Sequence, residues 1–109
     1  MPITSDEIIN LTDKEQAYVL HRFLFNLTMT VRDIYSSNEH QVLEKMYAIN
    51  GLYHHIIPFI DHLLFGIENS FTIDVICRNI QDTGTSCGLE HHFGIAWQFS
   101  LQQAGYSRQ

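Results

Sequence analysis

The segment NEHQVLEKMYAINGLYHHIIPFIDHLLFG, residues 38–66, decides the fold of this chain. Its apolar residues recur three or four positions apart, the spacing of one helix face, and further apolar residues fall on the other faces. Asn38 can cap the start of a helix, and Gly66 can end it in the left-handed conformation. The segment therefore predicts a helix from Glu39 to about Phe65. Because apolar residues surround most of this helix, we expect it to be buried on several sides.

A capping signal starts another helix earlier in the chain. The side chains of Thr12 and Glu15 have the spacing of a capping box, in which each accepts a hydrogen bond from the other residue's backbone N–H. This signal predicts a helix from Asp13 to about Tyr35. The break at residues 36–38 then folds the two helices into an antiparallel hairpin. The core stripe expected on the earlier helix consists of Leu20, Leu24, Leu27, Val31 and Ile34.

The last third of the sequence carries two conflicting patterns. Apolar residues alternate with other residues, as in strands, yet the same stretch also has apolar residues at helical spacing. The clearest alternating residues are Phe93, Ile95, Trp97, Phe99 and Leu101. We favour two helices, and we interpret residues 83–88 as a flexible connection. The expected fold is then all-α, a small helical bundle forming a single domain over residues 1–109. The alternative is an α+β fold with a C-terminal β-hairpin.

Charge and cysteine content narrow the classes of function. Twelve acidic residues against six basic ones give a formal net charge of −6. Because a negative surface repels phosphate, we expect no nucleic-acid binding. Histidines and Asp61 interrupt the apolar run of residues 38–66 too early for a membrane span. The two cysteines, with no signal-peptide pattern before them, predict free thiols and a cytoplasmic location.

Histidine and carboxylate side chains on the helix at 39–65 raise the question of a metal site. Glu44, His55 and His62 fall on one face of this helix, and such ligands build metal sites in helical bundles. However, His55 and His62 are two turns apart, about 10 Å along the axis, which is too far to share one ion.

A second set of potential ligands lies in the last third of the chain. Cys77, Cys87 and His91 offer the thiolate and imidazole groups that zinc prefers. Ten residues separate the two cysteines, so the close cysteine pair of most zinc sites is missing. A metal-binding protein that uses zinc or another transition metal, as a sensor or an enzyme, is therefore the alternative hypothesis.

An apolar stripe lies on the side of the first helix that should face solvent. At 100° per residue, Tyr18, Phe25 and Met29 line up opposite the core stripe of that helix. A polar rim of charged residues flanks them, as at a protein interface. On the following helix, Tyr47 and Phe59 also point away from the main apolar stripe. These five residues predict an interface with a second copy of the chain or with a protein partner.

No sequence pattern supports nucleophilic catalysis or phosphate binding. The G-x-S-x-G elbow is absent, and neither cysteine lies in a catalytic context. The principal hypothesis is therefore a non-enzymatic protein that binds or regulates another protein and acts as a homodimer, with no cofactor.

Overall fold

The computed structural model describes residues 3–105 and folds them into four α-helices. The helices are α1 (Asp13–Ile34), α2 (Glu39–Phe65), α3 (Ile73–Ser86) and α4 (Glu90–Gln103), preceded by a short 3-10 turn at Ser5–Glu7. No strand occurs within 3–105. The prediction of a small all-α bundle is therefore confirmed, and the alternative with a C-terminal β-hairpin is wrong.

The first two helices begin and end where the capping residues predict. Thr12 Oγ1 accepts a hydrogen bond from the Glu15 N–H (3.2 Å), and the Glu15 carboxylate accepts one from the Thr12 N–H (2.8 Å). The Asn38 side chain accepts a hydrogen bond from the Gln41 N–H (3.1 Å). Gly66 ends α2 with a φ of 69°, where a residue with a Cβ is strained. These contacts fix the start of α1 and both ends of α2.

The core lies between α1 and the helices packed against it. α1 packs against both α2 and α4, and α3 closes the bundle against α2 and α4. The Phe23 ring of α1 meets Phe93 and Trp97 of α4 edge to face, with ring centroids 6.0 Å and 5.6 Å apart. The molecule is flat, with principal dimensions of 40 × 34 × 19 Å. α1 is consequently the helix that joins both halves of the bundle.

The end of α3 corrects the expectation for residues 83–88. Residues 83–86 form the last turn of α3, and the connection to α4 is only residues 87–89. Gly84 is buried there, and a Cβ added to it would lie 2.9 Å from the Phe93 ring. A glycine that lets two helices approach closely was mistaken for a loop signal, because sequence alone does not distinguish the two uses.

The residues before α1 are tied to the C-terminal helices. The Glu7 carboxylate accepts hydrogen bonds from Trp97 Nε1 (3.1 Å) and Gln98 Nε2 (3.2 Å). The Ser5 hydroxyl is hydrogen-bonded to the Asp74 carboxylate at the start of α3. Ile8 is fully buried in the core. This segment therefore holds α3 and α4 against one another.

α2 is buried on fewer sides than its sequence predicts. Its buried residues are Ile49, Leu52, Ile56, Phe59 and Ile60. Its exposed large apolar residues are Leu43, Tyr47, Ile57, Leu64 and Phe65. The expectation of burial on several sides is thus wrong for the chain by itself. At the end of α1, Ile34 is also exposed, although it was expected in the core stripe.

Within the described range, no helix is both long enough and apolar enough to cross a membrane.

Candidate interaction surface

α1 exposes the apolar stripe that its sequence predicts opposite the core. Tyr18, Phe25 and Met29 are all exposed, whereas the residues of the opposite stripe from Leu20 to Val31 are buried. The capping box sets the start of the helix, and the regular spacing of seven and four residues then places the three side chains in one row. In the single chain this stripe is therefore exposed to solvent.

α4 extends this stripe sideways with two further apolar residues. Ile95 and Phe99 lie one turn apart on the exposed side of α4, and they line a groove of about 350 Å³ together with Phe25 and Met29. We call the surface formed by Tyr18, Phe25, Met29, Ile95 and Phe99 the α1–α4 face. Its apolar side chains come from two helices that are neighbours in the fold and distant in the sequence.

The size of the α1–α4 face follows from the exposed fractions of its side chains. Its five side chains are between 37% and 54% exposed. If each offers about 200 Å² when fully exposed, the face presents about 500 Å² of apolar surface. The largest apolar patch of a typical monomer is about 300–600 Å² and often has a function, so this face is a candidate interaction site. α3 provides the contrast within the same molecule, because its exposed residues are all polar: Asp74, Arg78, Gln81, Asp82, Thr85 and Ser86.

Polar groups order one end of the groove. The guanidinium of Arg22 stacks over the Phe25 ring, 4.9 Å from the ring centroid. Arg22 Nε and Asn26 Nδ2 both donate hydrogen bonds to Gln103 Oε1, at 3.1 Å and 2.8 Å. Gln103, at the end of α4, is thereby held against the middle of α1. Asp33 also lines the groove.

The other two residues predicted at an interface have opposite surroundings. Tyr47 is 80% exposed on the outer side of α2, where Leu43 is also exposed. Phe59 is only 4% exposed and packs inside the core of the chain. Phe59 is therefore a core residue, and its side chain is not available to a partner in this conformation.

The histidines of α2 make local structural contacts. The His55 ring lies edge-on to Phe71, with centroids 5.4 Å apart, in the segment that leads into α3. His62 Nδ1 is 2.7 Å from the carbonyl oxygen of Ile67, just beyond the end of α2. Glu44 lies 3.9 Å from both His40 and Lys45. The structure therefore does not bring Glu44, His55 and His62 together around one point.

The cysteines are poor candidates for metal ligands or nucleophiles. Burial, together with the negative charges of Asp74 and Glu7, raises the pKa of the Cys77 thiol to about 12. Burial also raises the pKa of Cys87. Because a metal binds the thiolate form, both shifts oppose coordination at neutral pH.

His91 completes the set of predicted ligands. It is exposed on the first turn of α4, where its ring lies edge-on to that of His92, with centroids 5.7 Å apart. Across residues 3–105, no group of three or more His, Cys, Asp or Glu side chains is arranged to hold a metal ion.

Sequence reasoning missed Ile95 and Phe99, although a signal for them was present. The two residues belong to the alternating pattern that indicated a strand. In the structure, Phe93, Trp97 and Leu101 face the core, while Ile95 and Phe99 face solvent. A helix with one apolar stripe in the core and another on the surface reproduces the alternation of a strand over two turns. The ambiguous pattern is thus explained by the second apolar stripe of α4.

Comparisons of the chain with protein-family models, with curated proteins and with solved structures found no match.

Proposed function

We propose that this protein is a non-enzymatic interaction protein that acts as a homodimer through the α1–α4 face and binds or regulates another protein. The observation that carries the proposal is the size and continuity of this face. About 500 Å² of apolar surface is what an interface of standard size contains, since such interfaces bury about 800 Å² per partner and are about 60% apolar.

The aromatic content of the face supports the same proposal. Tyr18, Phe25 and Phe99 supply aromatic side chains, and Arg22 stacks on one of them. Aromatic residues, methionine and arginine are enriched at protein interfaces, and tyrosine and arginine are enriched among the residues that dominate binding energy. A stripe of this composition on a surface helix has no role in the core of its own chain.

The outer side of α2 supports the binding of a second protein. Leu43 and Tyr47 are exposed near the start of α2, and Phe65 is exposed at its end. These residues do not belong to the α1–α4 face, so they stay accessible when that face is buried in a homodimer. The proposal also places the protein in the cytoplasm, where two unpaired thiols such as Cys77 and Cys87 persist.

The test is the mass of the protein in solution, measured by sedimentation equilibrium over a wide concentration range. We expect a reversible dimer. We expect Phe25→Gln to raise its dissociation constant by a factor of about 10 or more, because burial of an aromatic residue at the centre of an interface is worth about 1–2 kcal/mol or more.

The matched control is Phe65→Gln, which removes the same side chain from an exposed position outside the face. We expect this variant to dimerise like the unmodified protein. A protein that stays monomeric throughout the concentration range, or a dimer that Phe65→Gln weakens as much as Phe25→Gln does, would contradict the proposal.

A further inference from the structure

Two opposite charges flank the α1 part of the α1–α4 face. Arg22 and Asp33 are eleven residues apart, which is three turns of helix, so they lie on the same side of α1, about 16 Å apart along its axis. Phe25 and Met29 lie between them. Both charged residues line the groove that these apolar side chains form with α4.

Neither charge has an oppositely charged partner in the described part of its own chain. The ion pairs there join Glu44 to His40 and to Lys45. Arg22 contacts an uncharged amide and an aromatic ring, and Asp33 is exposed. At about 16 Å the two charges are too far apart to pair with each other, since an ion pair requires contact within about 4 Å. They can, however, pair with the same residues of a second copy.

The local charge also affects which face of the chain a second copy can approach. The chain as a whole has a net charge of −6, so two copies repel each other over most of their surfaces. Around α1, Arg22 and Arg32 stand against Asp33, which makes this side less acidic than the rest of the chain. Close approach of two copies is therefore least unfavourable at this face.

Resting on the homodimer proposed above, we infer that the two α1 helices cross antiparallel about a two-fold axis between residues 27 and 28, so that Arg22 of each copy pairs with Asp33 of the other. Residues 22 and 33 lie at equal distances on either side of that point. A two-fold interface contacts itself with the same surface, so one matched pair gives two ion pairs. In a parallel arrangement, Arg22 would meet Arg22, and like charges would oppose association.

The same register brings the apolar residues together. Met29 of one copy lies beside Asn26 of the other, and Phe25 lies close to both, near the axis. Ile95 and Phe99 flank this contact from α4 and exclude water from the ion pairs. The result is an apolar centre with charged pairs at its edge, the usual arrangement of a specific interface.

A charge-exchange experiment tests the pairing. We expect Arg22→Asp and Asp33→Arg each to raise the dimer dissociation constant about 10- to 100-fold, because each creates two like-charge contacts. The double variant restores opposite charges across the axis, so we expect its dissociation constant to return to within a few-fold of the original. Circular dichroism of each variant checks that the helices are retained.

Cysteine cross-linking tests the direction of the helices independently. In a Cys87→Ser background, Met29→Cys places the two new thiols about 5 Å apart along the axis, whereas Tyr18→Cys places them about 28 Å apart. We expect disulfide-linked dimers from the first variant only. If the protein dimerises but the double charge variant does not recover and Tyr18→Cys cross-links, the antiparallel pairing is wrong while the homodimer stands. If the unmodified protein is monomeric, both are wrong.

Discussion

At the residue scale, the histidines show how local contacts decide what a side chain can do. The spacing on α2 suggested metal ligands, but the His55 ring is held against Phe71, and His62 contacts the Ile67 carbonyl. The partners of both histidines lie in the segment at 66–72 that connects α2 to α3. No sequence pattern predicted the path of this segment. The position of each histidine on α2 was predictable from the sequence. The path of the following loop, which uses these imidazoles as supports, was not.

Cys77 gives a prediction about pH at the same scale. Its thiol is neutral when protonated, and burial raises its pKa to about 12 in the folded chain. In the unfolded chain it ionises near pH 9, so only the unfolded state gains from ionisation between about pH 9 and about pH 12. The stability present below pH 9 is therefore lost as the pH rises, by up to about 1.4 kcal/mol per pH unit.

The measurement is urea denaturation at about pH 8 and about pH 10.5, for the unmodified protein and for Cys77→Ala. We expect the alanine variant to lose less free energy of unfolding between the two pH values, although it is less stable at the lower one. Equal losses in the two proteins would show that ionisation of Cys77 does not contribute.

At the element scale, the helix ends were more predictable than the helix contacts. Thr12 and Glu15, Asn38 and Gly66 act within a few residues of their own positions, so their hydrogen bonds and backbone angles could be inferred without the fold. The faces of α4 depend on which neighbours cover them. Its sequence is apolar on both the buried and the exposed side, and the position of α1 decides which residues are left uncovered. The α4 part of the α1–α4 face was therefore missed.

Gly51 and Gly84, two of the glycines inside helices, give a prediction about helix packing. Gly84 of α3 faces Phe93 of α4, where an added Cβ would lie 2.9 Å from the buried ring, whereas a Cβ on Gly51 of α2 would meet no atom within 4 Å. We expect Gly84→Ala to lower the free energy of unfolding by about 1–3 kcal/mol, because α3 and α4 must separate.

Gly51→Ala is the matched control. We expect it to raise the free energy of unfolding by about 0.5–1 kcal/mol, because alanine has the higher helix propensity and nothing obstructs its methyl group. Chemical denaturation of both variants provides the comparison. A Gly84→Ala protein as stable as Gly51→Ala would mean that the contact between α3 and α4 is loose.

At the scale of the whole molecule, the flat shape limits how much of each helix can be buried. A bundle 19 Å thick is about two helix diameters deep. The apolar surface that this thin core cannot enclose stays on α2 and on the α1–α4 face. A second copy placed over the α1–α4 face would double the thickness there and cover that surface.

Thermal unfolding tests this view of the molecule. If the folded chain dimerises and the unfolded chain does not, association stabilises the folded state by mass action. We expect the Tm to rise by about 3 °C for each tenfold increase in protein concentration. In Phe25→Gln the Tm should be lower and nearly independent of concentration over the same range, and Phe65→Gln should behave like the unmodified protein. A constant Tm for the unmodified protein would mean that its stability belongs to the single chain.

The two apolar stripes of α1, one in the core and one exposed, also bear on how this sequence can change during evolution. On an ordinary surface helix such as α3, half of the positions face water and substitutions accumulate there with little effect. On α1, Val19 and Leu20 are fixed by packing within the chain. In the proposed homodimer, Phe25 and Met29 on the other side are fixed by the need to fit their own copies. A change at a two-fold contact is also felt twice, once from each copy. Substitutions in α1 are then tolerated only at positions that belong to neither its buried stripe nor its exposed stripe. We therefore expect α1 to be the slowest-evolving helix of the four.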